Sequence, residues 1–138
     1  MKIYRQAQGI KVTLRRATDD DLLSMEIKYP EDRMLPTLSS LSSWVLVVGK
    51  NPDAEPVGFI EYLVRDDEVL ISGLWVAPSH RGNGYGTMML EIVEATEEPY
   101  FVRVLATPSS ASFYEDRGFL VDRGFSMLTK VVHYDCEA

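Results

Sequence analysis

The sequence predicts an α/β domain built on a mixed sheet. Three observations carry this. Strand-like runs alternate with helical patterns along the 138 residues. The connections between three central strands are short enough for hairpins. A glycine-rich turn, "RGNGYG", separates the third of these strands from the clearest amphipathic helix. A chain of this length suits one domain, residues 1–138, and can bury a core without a metal or disulfide.

Residues 11–18 (KVTLRRAT) form an imperfect strand pattern. Thr18 before three aspartates reads as an N-cap with acidic residues in the first helical turn, and Pro30 stops that helix. Residues 31–43 are ambiguous, with Pro36 able to begin a short second helix. Residues 44–50 (WVLVVGK) and 57–65 (VGFIEYLVR) are strands joined by the turn "KNPDAEP"; "DDE" is a tight turn before a third strand, residues 69–77. These three read as an antiparallel meander. The period then changes. Thr87, Glu91, Glu94 and Glu98 fall on one side of a helix, and Tyr85, Met88, Met89, Ile92 and Val93 on the other. Pro99 ends it. Residues 100–107 form another strand, and residues 108–119 a short helix that Gly118 can close in a left-handed C-cap. "FLVDRG" and "SMLTKVVHY" finish as strands.

Composition narrows the function. The formal net charge is -7, which disfavours a nucleic-acid backbone as partner and is compatible with a cationic substrate such as an amine. Cys136 is the single cysteine, so no internal disulfide, Cys-rich zinc site or CxxC redox pair can form. His80 and His133 lie far apart and lack ligand spacing, so no metal is expected. No apolar run approaches the roughly 20 residues of a membrane span, and the first ten residues lack the apolar region of a signal peptide. The expectation is a soluble, cytoplasmic protein with no membrane partner.

The glycine run Gly82, Gly84 and Gly86 lies between a strand and a helix, where backbone N–H groups and the helix dipole form an anion site. Arg81 adds a charge that can pair with phosphate. No Gly-Lys-Ser/Thr follows, so the run is not a Walker A loop. Thr87 stands where the GxGxxG dinucleotide fingerprint needs its third glycine. A tight turn with no ligand remains the plain alternative for the run alone.

Its surroundings are more specific. "LWVAPSHRGNGYGTMML" is a strand ending in V-x-P, then R-G-x-G-x-G, then an amphipathic helix. This resembles the GNAT superfamily of N-acetyltransferases, whose acetyl-CoA loop Q/R-x-x-G-x-G/A is matched by Arg81, Gly84 and Gly86. Downstream, "SFYEDRGF" is similar to the family's F-Y-x-x-x-G-F segment through Phe113, Tyr114, Gly118 and Phe119. The resemblance covers nearly the whole chain. It implies a GNAT-like domain with a mixed, mostly antiparallel sheet, flanked by helices and splayed between the fourth and fifth strands. It implies acetyl-CoA as co-substrate. The backbone amides of Arg81, Gly82, Asn83, Gly84, Tyr85 and Gly86, with Thr87, would cradle its pyrophosphate. The strand end Leu74, Trp75 and Val76 would run beside the pantetheine arm, near Phe113. Thr107 stands where many members carry an asparagine that contacts that arm. Pairing of two copies through the terminal strands, as a homodimer, is a further implication.

Acetyl transfer needs a neutral amine, a polarised thioester carbonyl and a proton for the departing thiolate. Tyr114 matches the family's general acid, and a tyrosine with a pKa near 10 is protonated at neutral pH. The base is open. The family's glutamate falls at Leu70, so that carry-over fails; Glu68, two residues earlier, and Glu61, on the neighbouring strand, are the candidates, and an amine that loses its proton in bulk water before binding needs neither. The acceptor is a primary amine of a small molecule or of a peptide or protein. Asp19, Asp20, Asp21, Glu26, Glu31 and Asp32 either attract it or form solvated faces. With no cysteine placed to carry an acyl group, transfer is expected to be direct, in a ternary complex. The competing reading is a CoA-binding regulatory domain without turnover.

Overall fold

The computed structural model describes residues 3–7, 10–29, 42–51, 53–106, 110–121 and 127–132. Eight strands among them, β1 (Ile3–Ala7), β2 (Ile10–Arg16), β3 (Ser42–Val48), β4 (Gly58–Arg65), β5 (Glu68–Val76), β6 (Phe101–Leu105), β7 (Leu120–Val121) and β8 (Met127–Val131), join one sheet. Its order is β1-β2-β3-β4-β5-β6-β8-β7. The pairing is antiparallel except between β5 and β6, which run parallel. The helices are α1 (Asp19–Lys28), α2 (Tyr85–Glu97) and α3 (Ala111–Glu115).

The sheet has two packed faces, and the strands read accordingly. Trp44, Val45, Leu46 and Val47 of β3 are all buried, as a strand covered on both sides must be. On one face Leu14, Leu46, Ile60, Tyr62 and Ile71 meet Met88, Met89, Ile92 and Val93 of α2. On the other, Val45, Phe59 and Trp75 meet Met25 of α1. Tyr29, just past α1, tilts against Trp75 with ring centroids 4.9 Å apart.

The start of α1 follows the expected chemistry. The Thr18 hydroxyl accepts from the Asp21 backbone N–H, and the Asp21 carboxylate accepts from the Thr18 N–H at 2.8 Å, closing a capping box. Arg15 of β2 grips the same carboxylate with two bonds of 2.6 and 3.0 Å. Burial pushes the Asp21 pKa up, but the Arg15 and Thr18 hydrogen bonds outweigh it and hold the group below its ordinary value.

Two irregularities shape the site. Glu61 pairs with Gly73 and Tyr62 with Ile71, so Ser72 is an extra residue that bulges β5. The bulge switches which residues face α2. Val69 and Ile71 do so before it, Leu74 and Val76 after it. The second irregularity is the splay. The parallel pairing covers Glu68–Ile71 against Phe101–Val104, and β5 then continues to Val76 alone on that side among the described residues.

Several boundaries differ from expectation. β1 was not expected; its short, mixed run becomes a strand by pairing with β2, a partner the local pattern does not show. Glu68 belongs to β5 rather than to a turn, because Arg65 and Phe101 pair with it on either side. The second short helix proposed near Pro36, and Thr107, His133 and Cys136, lie outside the described residues. Among those described, no helix is long and apolar enough to cross a membrane.

Candidate functional site

Beyond the splay, the end of β5, the loop after it and the starts of α2 and α3 enclose a cleft of about 430 Å³. Leu74, Trp75, Val76, Arg81, Gly82, Gly84, Tyr85, Gly86, Thr87, Phe113 and Tyr114 line it, all expected there. His80, Ser110 and Arg117 line it too. Asn83 does not; its side-chain amide donates to the His80 carbonyl at 3.1 Å and ties the loop together. The indole of Trp75 packs on the α1 face, so its share of the cleft comes from the backbone.

The loop is built to offer bare N–H groups. Gly84 is the N-cap of α2 in left-handed conformation, φ 80°, and no side chain caps the helix. The first intrahelical bond runs from Met88 N–H to the Gly84 carbonyl, leaving the amides of Tyr85, Gly86 and Thr87 without helical acceptors. Gly82 is also left-handed, φ 83°, and a Cβ on either glycine would meet nothing within 4 Å. Open space therefore faces this arc of donors. Arg81 Nε donates to the Val76 carbonyl at 2.9 Å, folding its cation back over the strand end. With two arginines and, among the described residues, no carboxylate in its lining, the cleft reverses the chain's overall acidity and suits an anion.

One glycine-dependent contact joins the motifs and a second closes the downstream one. Gly86 abuts Phe113, whose Cζ would lie 3.0 Å from an added Cβ. Phe113 in turn meets Tyr114 edge-on at 5.0 Å, and Tyr114 meets Phe119 at 5.4 Å. Gly118, φ 92°, makes the left-handed turn after α3, and the Phe119 N–H closes back on the Tyr114 carbonyl at 3.1 Å. Tyr114 is buried, and burial pushes its phenol up to about 12. It therefore keeps its proton throughout the neutral range.

The two carboxylate candidates are placed very differently. Glu61 is buried at 6% exposure. Its two oxygens accept from Ser43 Oγ and Ser72 Oγ, each at 2.9 Å. It sits beside the bulge, opposite Gly73, roughly 10 Å before the strand end at 3.3 Å per residue. It faces α1, in one row with Phe59. Glu68 opens β5, roughly 25 Å from Val76 on the same rise, and pairs loosely with Arg103 at 3.8 Å. The structure does not bring Glu68 to the cleft. Among the described residues, no group of three or more His, Cys, Asp or Glu side chains could hold a metal ion.

Sequence reasoning missed Arg117. Its spacing of four from Phe113 on α3's turn was the available signal, since such pairs face each other on a helix. Its guanidinium lies 3.7 Å from the centroid of the Phe113 ring.

A family model, the acetyltransferase (GNAT) domain, matches residues 41–121, which hold β3 through β7, the glycine loop and α3. The chain belongs to the GNAT acetyltransferase family. No curated protein matches it by sequence. Solved structures share its GNAT fold at low identity. A Staphylococcus aureus Mu50 acetyltransferase of the GNAT family superposes with TM-score 0.66 at 14% identity, over 88% of this chain and 99% of that one. The Escherichia coli ribosomal-protein-S18-alanine N-acetyltransferase gives 0.67 at 14%, over 91% and 97%. The Neisseria gonorrhoeae N-acetylglutamate synthase, solved with coenzyme A and N-acetyl-glutamate, gives 0.69 at 17%, over 94% of this chain but 36% of that one. In this GNAT domain, the open arc of α2 amides and the two left-handed glycines suit a pyrophosphate, and the splay suits an extended arm leading from it. The residues present fit coenzyme A.

Proposed function

We propose that this GNAT domain transfers an acetyl group from acetyl-CoA directly to a primary amine within a ternary complex. One observation carries the reading: the uncapped glycine loop and a buried, protonated tyrosine open onto the same cleft. When bound, acetyl-CoA supplies an activated thioester. The amides of Gly82, Gly84, Tyr85 and Gly86 and the Thr87 hydroxyl would hold its pyrophosphate. The backbone of Leu74 and Val76 lies along the arm and donates to its carbonyls. Phe113 flanks the arm. Tyr114 gives its proton to the departing sulfur. Glu61 is the better candidate to take the amine's proton: it is the nearer carboxylate, and the exposed Ser72 connects it to solvent.

A second reading, CoA binding without turnover, draws on the absence of any carboxylate from the cleft lining among the described residues. Tyr114→Phe separates the two. It keeps the ring packing and removes the proton. Under the catalytic reading, kcat for acetyl transfer to an amine panel falls about 100-fold or more, while CoA affinity by calorimetry stays within about two-fold. Equal turnover in both proteins would remove Tyr114 as the acid. No turnover by the unaltered chain on any amine, with CoA still bound, would favour the second reading.

A further inference from the structure

Arg117 is not one of the residues that match either motif, yet it touches both. Its Nε donates to the Thr87 hydroxyl on the first turn of α2. Its Nη1 donates to the Phe113 carbonyl at 2.6 Å, and its plane covers the Phe113 ring. Arg117 and Thr87 both line the cleft. A guanidinium has only donors, whereas a hydroxyl has one proton and two lone pairs. Where Arg117 donates, Thr87 must accept, so the Thr87 proton points elsewhere. Its acceptors are then a carbonyl of the preceding turn or an anion in the cleft, and the anion makes the stronger bond. Without Arg117, nothing fixes the hydroxyl in this orientation, and its proton can turn to the carbonyl of the preceding turn instead.

Resting on the acetyl-CoA reading, we infer that Arg117 is a positioning residue that turns the Thr87 hydroxyl into a donor to the pyrophosphate of acetyl-CoA. The fork is needed because a single side chain must reach Thr87 while anchored on the Phe113 carbonyl and ring. The action is local to the pyrophosphate, so it vanishes for a donor that lacks one.

Calorimetry with CoA, and transfer kinetics with acetyl-CoA and acetyl-pantetheine, test this on Arg117→Met, Arg117→Lys, Thr87→Val, Thr87→Ser and the Met/Val double variant. Arg117→Met and Thr87→Val each weaken CoA about 10–100-fold, the range of one hydrogen bond to a charged group. The double variant is no worse than the worse of the two single variants, because the second change removes a bond already lost. Arg117→Lys recovers part of the loss, Thr87→Ser binds CoA more tightly than Thr87→Val, and in every variant the KM for acetyl-pantetheine moves less than the Kd for CoA. Multiplying losses in the double variant would make Arg117 an independent cation and overturn the inference. So would an equal loss with acetyl-pantetheine, which would mark general damage to α3, or unchanged CoA affinity in Arg117→Met. Failure of the unaltered chain to bind CoA would instead overturn the acetyl-CoA reading on which the inference stands.

Discussion

Gly86→Ala adds one methyl group where the two halves of the site touch. The new Cβ would lie 3.0 Å from Phe113 Cζ and 3.3 Å from its Cε1, against about 3.5–4.0 Å for relaxed carbon contacts. The ring must retreat by roughly half an ångström to restore that spacing. Arg117, packed on the ring and bonded to Thr87, resists the move. Overpacking of this kind costs about 1–3 kcal/mol, and exchanging glycine for alanine in a helix returns about 1 kcal/mol. The variant should therefore fold, with a net loss of at most about 2 kcal/mol. Function should suffer more. Tyr114 follows Phe113 in the chain and leans on its ring, so the displacement reaches the phenol. A misplacement of 1 Å costs about 100-fold in rate; half of it costs about 10-fold. Thiol release from acetyl-CoA in the presence of an amine acceptor gives kcat, and urea unfolding gives stability. The expected result is a folded protein with kcat reduced about 10-fold, partly restored by adding Phe113→Leu. A folded Gly86→Ala variant with full kcat would refute the idea that this contact sets the tyrosine's position.

Gly84→Val should lower CoA affinity more than 100-fold by strain at φ 80° and by a side chain in the cleft. Gly49→Val is the control, since Gly49 is also left-handed with open space around it; it should lose similar stability and keep its CoA affinity. Glu61→Gln should preserve folding to within about 1 kcal/mol, because an amide can still bond both serines, yet lower kcat; unchanged kcat at pH 7 would dismiss it as the base. Asp21→Ala should cost about 2 kcal/mol in urea unfolding through the lost capping box and the paired bonds from Arg15. Because the folded pKa of Asp21 is lowered, its contribution is complete above pH 3.8 and fades as pH falls through the folded value. Tyr114 and Tyr62 are shifted the other way by burial. The Tyr114 contribution is complete below pH 10 and is lost as pH rises through about 12, so alkaline melting should ease in Tyr114→Phe relative to the unaltered chain.

Much of this was legible because it is local. The Thr18 cap, the period of α2 and the left-handed Gly82, Gly84 and Gly118 follow from residue chemistry within a few positions. So do the cleft-lining residues that belong to the two motifs. What escaped is non-local. β1 depends on a partner strand. The face that Glu61 occupies depends on cross-strand register, and the bulge at Ser72 alters that register. Arg117 reaches Thr87 thirty positions away, a contact no short window contains.

The splay leaves a sheet with an edge in its middle. Edge strands ordinarily lie at the rim, where charge or a covering loop blunts them against pairing with other chains. Among the described residues the end of β5 is such an edge, held inside the fold by β6 on one stretch and released on the next. A pantetheine arm, with amides spaced along an extended chain, would complete the missing rungs much as a β-strand does. Ligand and sheet would then be parts of one hydrogen-bonded structure. The protein would gain stability with CoA concentration by mass action, and the empty form would be the one prone to associate through its backbone.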